Sequence, residues 1–270
     1  MTLALLIIGL LVLVLLPGKI RLSLRFRKQV ADMYINSGNV YDKYFSMDQI
    51  YGLPAPVQRY FKYALKTGQP YIETARLKHT GLFKTGLKKK FISITGEQHF
   101  TVQNPQFIWK GAASFFTAVD SFIAGSRQLK VALLDLFPVV NGHGSTFNEA
   151  ELQRWMAESV WFPTNLLPSD MVTWSAIDEN TAKLSLCYKA ISFHFIVTFS
   201  AQGQIIVMET QRFMTDKKRE TWICKMSDYK EINNMKIPFT AEAIWKLPTG
   251  YYSYAKFTIA KIEYNLPESF

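Results

Sequence analysis

The sequence predicts a mainly β protein of α+β type: a curved antiparallel sheet with packed helices and an amino-terminal transmembrane helix. Three observations predict it. From about residue 76, apolar and polar residues alternate in short runs broken by tight turns, the period of half-buried strands. Aromatic residues make up 14% of the 270, and the chain is 49% hydrophobic against 19% charged; this excludes a disordered chain and suits large β-type packing surfaces. Leu3 to Leu16 is an unbroken apolar run with one glycine, closed by Pro17-Gly18. The two cysteines, Cys187 and Cys224, cannot build a disulfide framework, so packing must hold the fold together.

The apolar run comes first in the chain. About 16 helical residues span roughly 24 Å, short of a hydrocarbon core of roughly 30 Å. Ile20, Leu22 and the long side chains of Lys19 and Arg21 make up the difference. The basic residues follow the run, and Leu15-Leu16-Pro17-Gly18 has no small-residue cleavage pattern, so the segment reads as an uncleaved single-pass anchor. Lys19, Arg21, Arg25, Arg27 and Lys28, with no acid among residues 1–30, supply half of the net charge of +10. Basic flanks stay on the cytoplasmic side, which predicts a cell-membrane protein whose main domain faces the cytoplasm. The charge is therefore membrane-directed and not a nucleic-acid footprint, which would cluster on the domain itself. Lys88-Lys89-Lys90 reads as a solvated turn.

Three regions are expected: the anchor at 1–18, a helical stalk with amphipathic helices at 19–75, and an antiparallel β domain at 76–270 with an inserted helix at 147–160. In the middle region Val57, Tyr60, Phe61, Ala64 and Leu65 make one apolar stripe, begun near Pro56 and stopped by Gly68 and Pro70. Strands are expected at Arg76–Lys84, Lys90–Val102, Met171–Ile177, Ala182–Lys189, Ser192–Ser200, Gln204–Phe213, Arg219–Met226, Ile237–Lys246 and Tyr251–Tyr264. In one of them Phe193, Phe195, Val197 and Phe199 share a face. The inserted helix opens on a capping box, Thr146 with Glu149. Its inner stripe is Leu152, Trp155, Met156 and Ser159, and Arg154 lies within reach of Glu151 and Glu158.

Little in the chain carries recognisable chemistry. His79, His99, His143 and His194 have no second ligand at metal-binding spacing, and no phosphate loop or dinucleotide fingerprint occurs, so neither metal nor cofactor is expected. Cys187 and Cys224 lie in strand patterns and read as structural thiols. Glu151 and Glu158 are the best acid–base candidates for a hydrolase-like activity, with Asp120 as a distant auxiliary, but Arg154 between them favours a salt-bridge network.

Four segments, LPAPVQRYFKYAL (53–65), PQFIWKG (105–111), ELQRWMAESVWFPTNLLPS (151–169) and WSAIDENTA (174–182), resemble a family of membrane-anchored bacterial proteins carrying a domain of unknown function. Tyr229-Lys230-Glu231-Ile232-Asn233-Asn234-Met235-Lys236-Ile237-Pro238 resembles a hairpin of lipoprotein-carrier-like domains. That resemblance implies a half-barrel whose helices cover an apolar concavity. The expected function is a membrane-tethered module that binds an apolar or amphipathic, lipid-like ligand and has no nucleic-acid partner. The expected site is Arg154, Trp155, Glu158, Trp161, Phe162, Leu166 and Leu167, with Trp155, Trp161, Phe162, Leu166 and Leu167 as a proline-bounded, movable flap and Arg154 meeting an acidic head group. The alternatives are the hydrolase-like enzyme and a scaffold without ligand.

Overall fold

A computed structural model describes residues 2–35, 37, 42–133, 137–142 and 145–270, with side-chain surroundings for 18–35, 37, 42–131 and 147–270. The helices are α1 (Thr2–Ile35), α2 (Ala55–Ala64) and α3 (Ser145–Glu158). The first six strands are β1 (Thr74–Phe83), β2 (Ile92–Thr101), β3 (Gln106–Ala112), β4 (Phe116–Ile123), β5 (Ser126–Leu133) and β6 (Phe137–Gly142). After α3 come β7 (Val172–Ala176), β8 (Thr181–Tyr188), β9 (Ile191–Phe199), β10 (Ile205–Phe213), β11 (Arg219–Ile232), β12 (Met235–Leu247) and β13 (Gly250–Tyr264).

All of these strands belong to one antiparallel sheet in the order β6-β5-β4-β3-β2-β1-β13-β12-β11-β10-β9-β8-β7. The chain starts at the centre, steps outward to one edge, crosses through α3 to the opposite edge, and steps back until β13 pairs with β1. The crossing explains the shape. α3 touches β4 and β5 on one side and β10 on the other, so strands distant in the order curl around a single helix. The β11–β12 hairpin turns on Asn233-Asn234, both at positive φ, the two-residue turn that matches strand twist. Lys88, Lys89 and Lys90 are exposed in the β1–β2 turn.

The concave face is filled from one end. The stripe on α2 is buried as its spacing predicts, and Tyr60 packs on Phe199 with ring centroids 6.1 Å apart. Phe193, Phe195, Val197 and Phe199 are therefore covered by the protein's own core. After α3, two 3-10 turns, Ser159–Trp161 and Pro163–Leu166, continue the filling. This corrects the expected flap. Trp161 Nε1 donates to Pro238 O (3.1 Å), Trp174 Nε1 to Leu166 O (2.8 Å), and Tyr264 Oη to Trp161 O (2.7 Å). Residues 159–167 are buried throughout, so the segment is a fixed plug. The expected cap of α3, Thr146, lies outside the described side chains; Glu149 pairs with Arg219 at 2.8 Å.

The convex face carries α1. Phe26, Val30, Met33 and Tyr34, at i, i+4, i+7 and i+8, pack on Ile108 of β3 and Val119 of β4. Tyr34 Oη donates to His99 Nδ1 (2.9 Å), His99 Nε2 donates to Glu97 (2.9 Å), and Lys110 closes the chain on Glu97 (3.1 Å). Pro17-Gly18 closes the apolar run but not the helix, and residues 19–35, expected as a helical stalk, continue α1, with Phe26 to Tyr34 docked on the sheet. Proline removes one helical hydrogen bond, and the packing of Phe26, Val30, Met33 and Tyr34 follows it in the same helix. Among the residues whose side chains are described, no helix is long and apolar enough to cross a membrane; the run 3–16 expected to do so lies outside them.

Candidate functional site

The plug and α2 leave one region of the concave face unfilled. A cavity of about 490 Å³ remains between α3 and the strands β1, β3–β5 and β10–β13. It exists because the register places small side chains at its back. Cys224, Ala243 and Ala255 are aligned across β11, β12 and β13, and Ala241 and Ala118 add to the gap. Larger residues rim it: Phe83, Trp109, Phe116, Trp222, Tyr254 and Phe257.

One wall depends on two glycines. Trp109 lies across Gly111, where a Cβ would fall 2.1 Å from the indole. Its Nε1 donates to Nε2 of His79 (2.8 Å), and His79 in turn lies over Gly96, where a Cβ would meet the ring at 1.9 Å. Burial first, and then the charge of Arg154, push the His79 pKa down to about 4. The folded protein thus holds His79 neutral at pH values where the unfolded chain, near 6.5, takes up a proton. The stability this contributes is complete above pH 6.5 and is lost as pH falls toward 4. Asp120, described below, titrates in the opposite sense, so the measurement is a difference. The stability advantage of the natural protein over His79→Gln is expected to shrink by roughly 2–3 kcal/mol between pH 7 and pH 4. Urea titrations at both values check this, and a constant difference refutes it.

The floor of the cavity is ionic. Arg154 places Nη1 3.0 Å from Asp120 and Nε 2.9 Å from Glu158, and stacks its guanidinium over Phe107 at 4.7 Å. Glu158 also accepts from Gln98 Nε2 (2.7 Å). Arg127 Nε lies 3.0 Å from Glu151 and 3.6 Å from Asp120, as an ion pair not aligned for a hydrogen bond. Arg212 approaches Glu151 at 3.8 Å, donates to Ala150 O and lies over Trp222 at 4.5 Å. Three arginines thus face three carboxylates. Burial, with Glu151 second, pushes the Asp120 carboxyl up to about 7 against the opposing pull of Arg154 and Arg127. Burial also raises Glu158, and it drives the Cys224 thiol far up, which makes that thiol inert as a nucleophile.

The structure divides the expected site residues. Arg154, Glu158 and Trp161 line the cavity. Trp155, Phe162, Leu166 and Leu167 do not: all are buried in the core, with Trp155 Nε1 donating to Thr101 O (3.0 Å). They lie in the core instead, where Phe162 packs on Phe100 at 4.9 Å and on Trp155 at 6.3 Å. Arg154 is not free for an acidic head group, since both neighbouring carboxylates hold it. Glu151 and Asp120, the remaining acid–base candidates, reach the cavity as well, and Asp120 is the one poised near neutrality. Arg127, Arg212, Trp109 and Trp222 were not identified from sequence. A signal for two of them exists: Arg127 shares the strand phase of Leu129 and Val131, and Arg212 that of Met208 and Thr210, so each is a charge at a core-facing position. Cys187 and His194 are exposed, and His143 lies outside the described residues.

Residues 43–257 match the family of unknown function DUF6544, and the chain belongs to that family. No curated protein matches it. Two solved structures align with most of it. One is an outer membrane lipoprotein-sorting protein domain from Vibrio parahaemolyticus, 9% identical, with a TM-score of 0.41 over 72% of this chain and 86% of that one. The other is a LolA-superfamily protein from Nitrosomonas europaea, 8% identical, with a TM-score of 0.46 over 79% of this chain and 94% of that one.

Proposed function

We propose that this DUF6544 member is a membrane-tethered module that holds one apolar or amphipathic, lipid-like molecule in the cavity beside α3. The cavity itself carries the reading. A volume of about 490 Å³ falls inside the range of small-molecule sites, roughly 300–1,000 Å³. Its walls are aromatic and aliphatic, which suits a hydrocarbon chain, and its ionic floor is balanced, which suits a neutral or zwitterionic polar end over a bare acid. Tethering by residues 3–16, with Lys19, Arg21, Arg25, Arg27 and Lys28 on the cytoplasmic side, would keep the cavity at high effective concentration of membrane ligands.

The test uses the full chain reconstituted in vesicles that contain a single-chain lipid bearing a photoreactive diazirine. After illumination, mass spectrometry of the peptides is expected to find adducts in 109–131 and 222–257, the cavity walls. Adducts confined to residues 3–16 would refute the binding reading while leaving the anchor intact. Carboxy-terminal fusions to reporters active on one side of the membrane decide the orientation, and activity of a periplasmic reporter alone reverses it. A second reading, acid–base chemistry on a molecule in the same cavity, is favoured by Asp120 alone. Asp120→Asn should then abolish consumption of a bound lipid without releasing it.

A further inference from the structure

We infer that the rim of the sheet at the mouth of the cavity is a docking surface for an anionic lipid bilayer. The register builds this rim from four consecutive turns. Phe83 pairs with Ile92 and Ala255, Leu247 with Gly250, Phe213 with Arg219, and Ala112 with Thr117. The turns 214–218, 248–249, 84–91 and 113–115 therefore follow one another along the same side. The cavity reaches them, since Phe83, Thr85 and Phe116 are among its walls.

Charge separates this rim from the opposite one. The four turns carry Lys84, Lys88, Lys89, Lys90, Lys217 and Lys218 against one acid, Asp216. The turns of the other rim, 102–105, 124–125, 177–180, 201–203 and 233–234, themselves contain no lysine or arginine and include Asp178 and Glu179, and the arginine that reaches them, Arg59 of α2, is held there by Glu179 O and Asn180 Oδ1. Apolar side chains stand out of the basic rim as well: Phe115 is 72% exposed, Tyr251 67% and Leu82 41%. Lysines around protruding aromatic residues suit phosphate head groups outside and acyl chains beneath.

The surface is independent of what the cavity holds, and the experiment keeps the two apart. The full chain, with Cys187→Ser to remove the exposed thiol, receives an environment-sensitive dye at Phe115→Cys, or as a control at Gln202→Cys on the opposite rim. It is reconstituted in vesicles of phosphatidylcholine with or without 30% phosphatidylglycerol, each containing lipids with nitroxide quenchers. Quenching at 115 and not at 202 is expected in the anionic vesicles. Changing Lys88, Lys89 and Lys90 to glutamine should shift the ratio of docked to undocked chain by on the order of 100-fold. Quenching at 115 that is equal in neutral vesicles and indifferent to the lysines reports only the nearness of the anchor and overturns the inference. Absence of quenching in anionic vesicles also overturns it, and leaves the lysines to an acidic protein. An alkaline wash tests the anchor separately, because a chain that washes off still reports docking when added from solution.

Discussion

Methionine in place of Arg154 is expected to lower the stability of the folded chain by about 3–5 kcal/mol at pH 8, as read from urea unfolding followed by tryptophan fluorescence. The guanidinium is the shared partner of Asp120, at 3.0 Å, and Glu158, at 2.9 Å. Methionine keeps most of the side-chain volume over Phe107, so the loss is chiefly that of two carboxylates left buried without their cation. Asp120 Oδ1 has no hydrogen-bond partner even in the natural protein, and its carboxyl already sits near 7 through burial. Removing the arginine raises both carboxyl groups further. Their cost is then largest where they are ionised and is relieved as protons bind, so the deficit should shrink between pH 8 and pH 5. Arg154→Lys should recover only part of the loss, because an ammonium cannot serve both carboxylates with a planar fork. Adding Asp120→Asn and Glu158→Gln to the methionine variant should restore most of it. A deficit below about 1 kcal/mol at pH 8 would mean that water in the cavity already solvates the cluster.

The part of this site that was legible in the sequence is the part that is local. Arg154 and Glu158 stand four apart on a helix, and that spacing fixes their contact before any tertiary structure exists. Strand alternation likewise indicated a sheet from about residue 76 on, two residues inside the observed start of β1, and the stripe of α2 indicated its buried face. What the sequence hid is everything that depends on which strands lie opposite each other. Arg127 and Arg212 come from β5 and β10, which no short-range pattern links; they meet because α3 crosses between the two arms of the sheet. The strands β4 to β6 were not read out individually, although β5 alternates, with Arg127, Leu129 and Val131 in one phase. The run 161–167 was legible as apolar but not as fixed, because its tethers are three hydrogen bonds from residues up to 103 positions away.

Filling the cavity from its back wall is expected to abolish ligand capture while leaving the fold unharmed. Ala243 is the position to change. It sits between Cys224 and Ala255 across three central strands, with its methyl group directed at the open volume. Phenylalanine there is compatible with a strand and removes apolar cavity surface instead of creating strain, since the added ring enters a space of about 490 Å³. Thermal stability should therefore stay the same or rise by a few degrees, the signature of a filled void and the opposite of an overpacked core. Photo-adducts in 109–131 and 222–257 should fall at least tenfold, because one buried methylene already contributes about 0.8 kcal/mol and the ring displaces several. Adducts in residues 3–16 act as the internal control and should not change. Ala182→Phe is the contrasting variant: that residue is fully buried beneath the core on β8, away from the cavity, and its replacement should destabilise the chain without a selective effect on capture. If Ala243→Phe retains its wall adducts at the natural level, the ligand does not occupy this cavity, and the concave face serves only to hold α3.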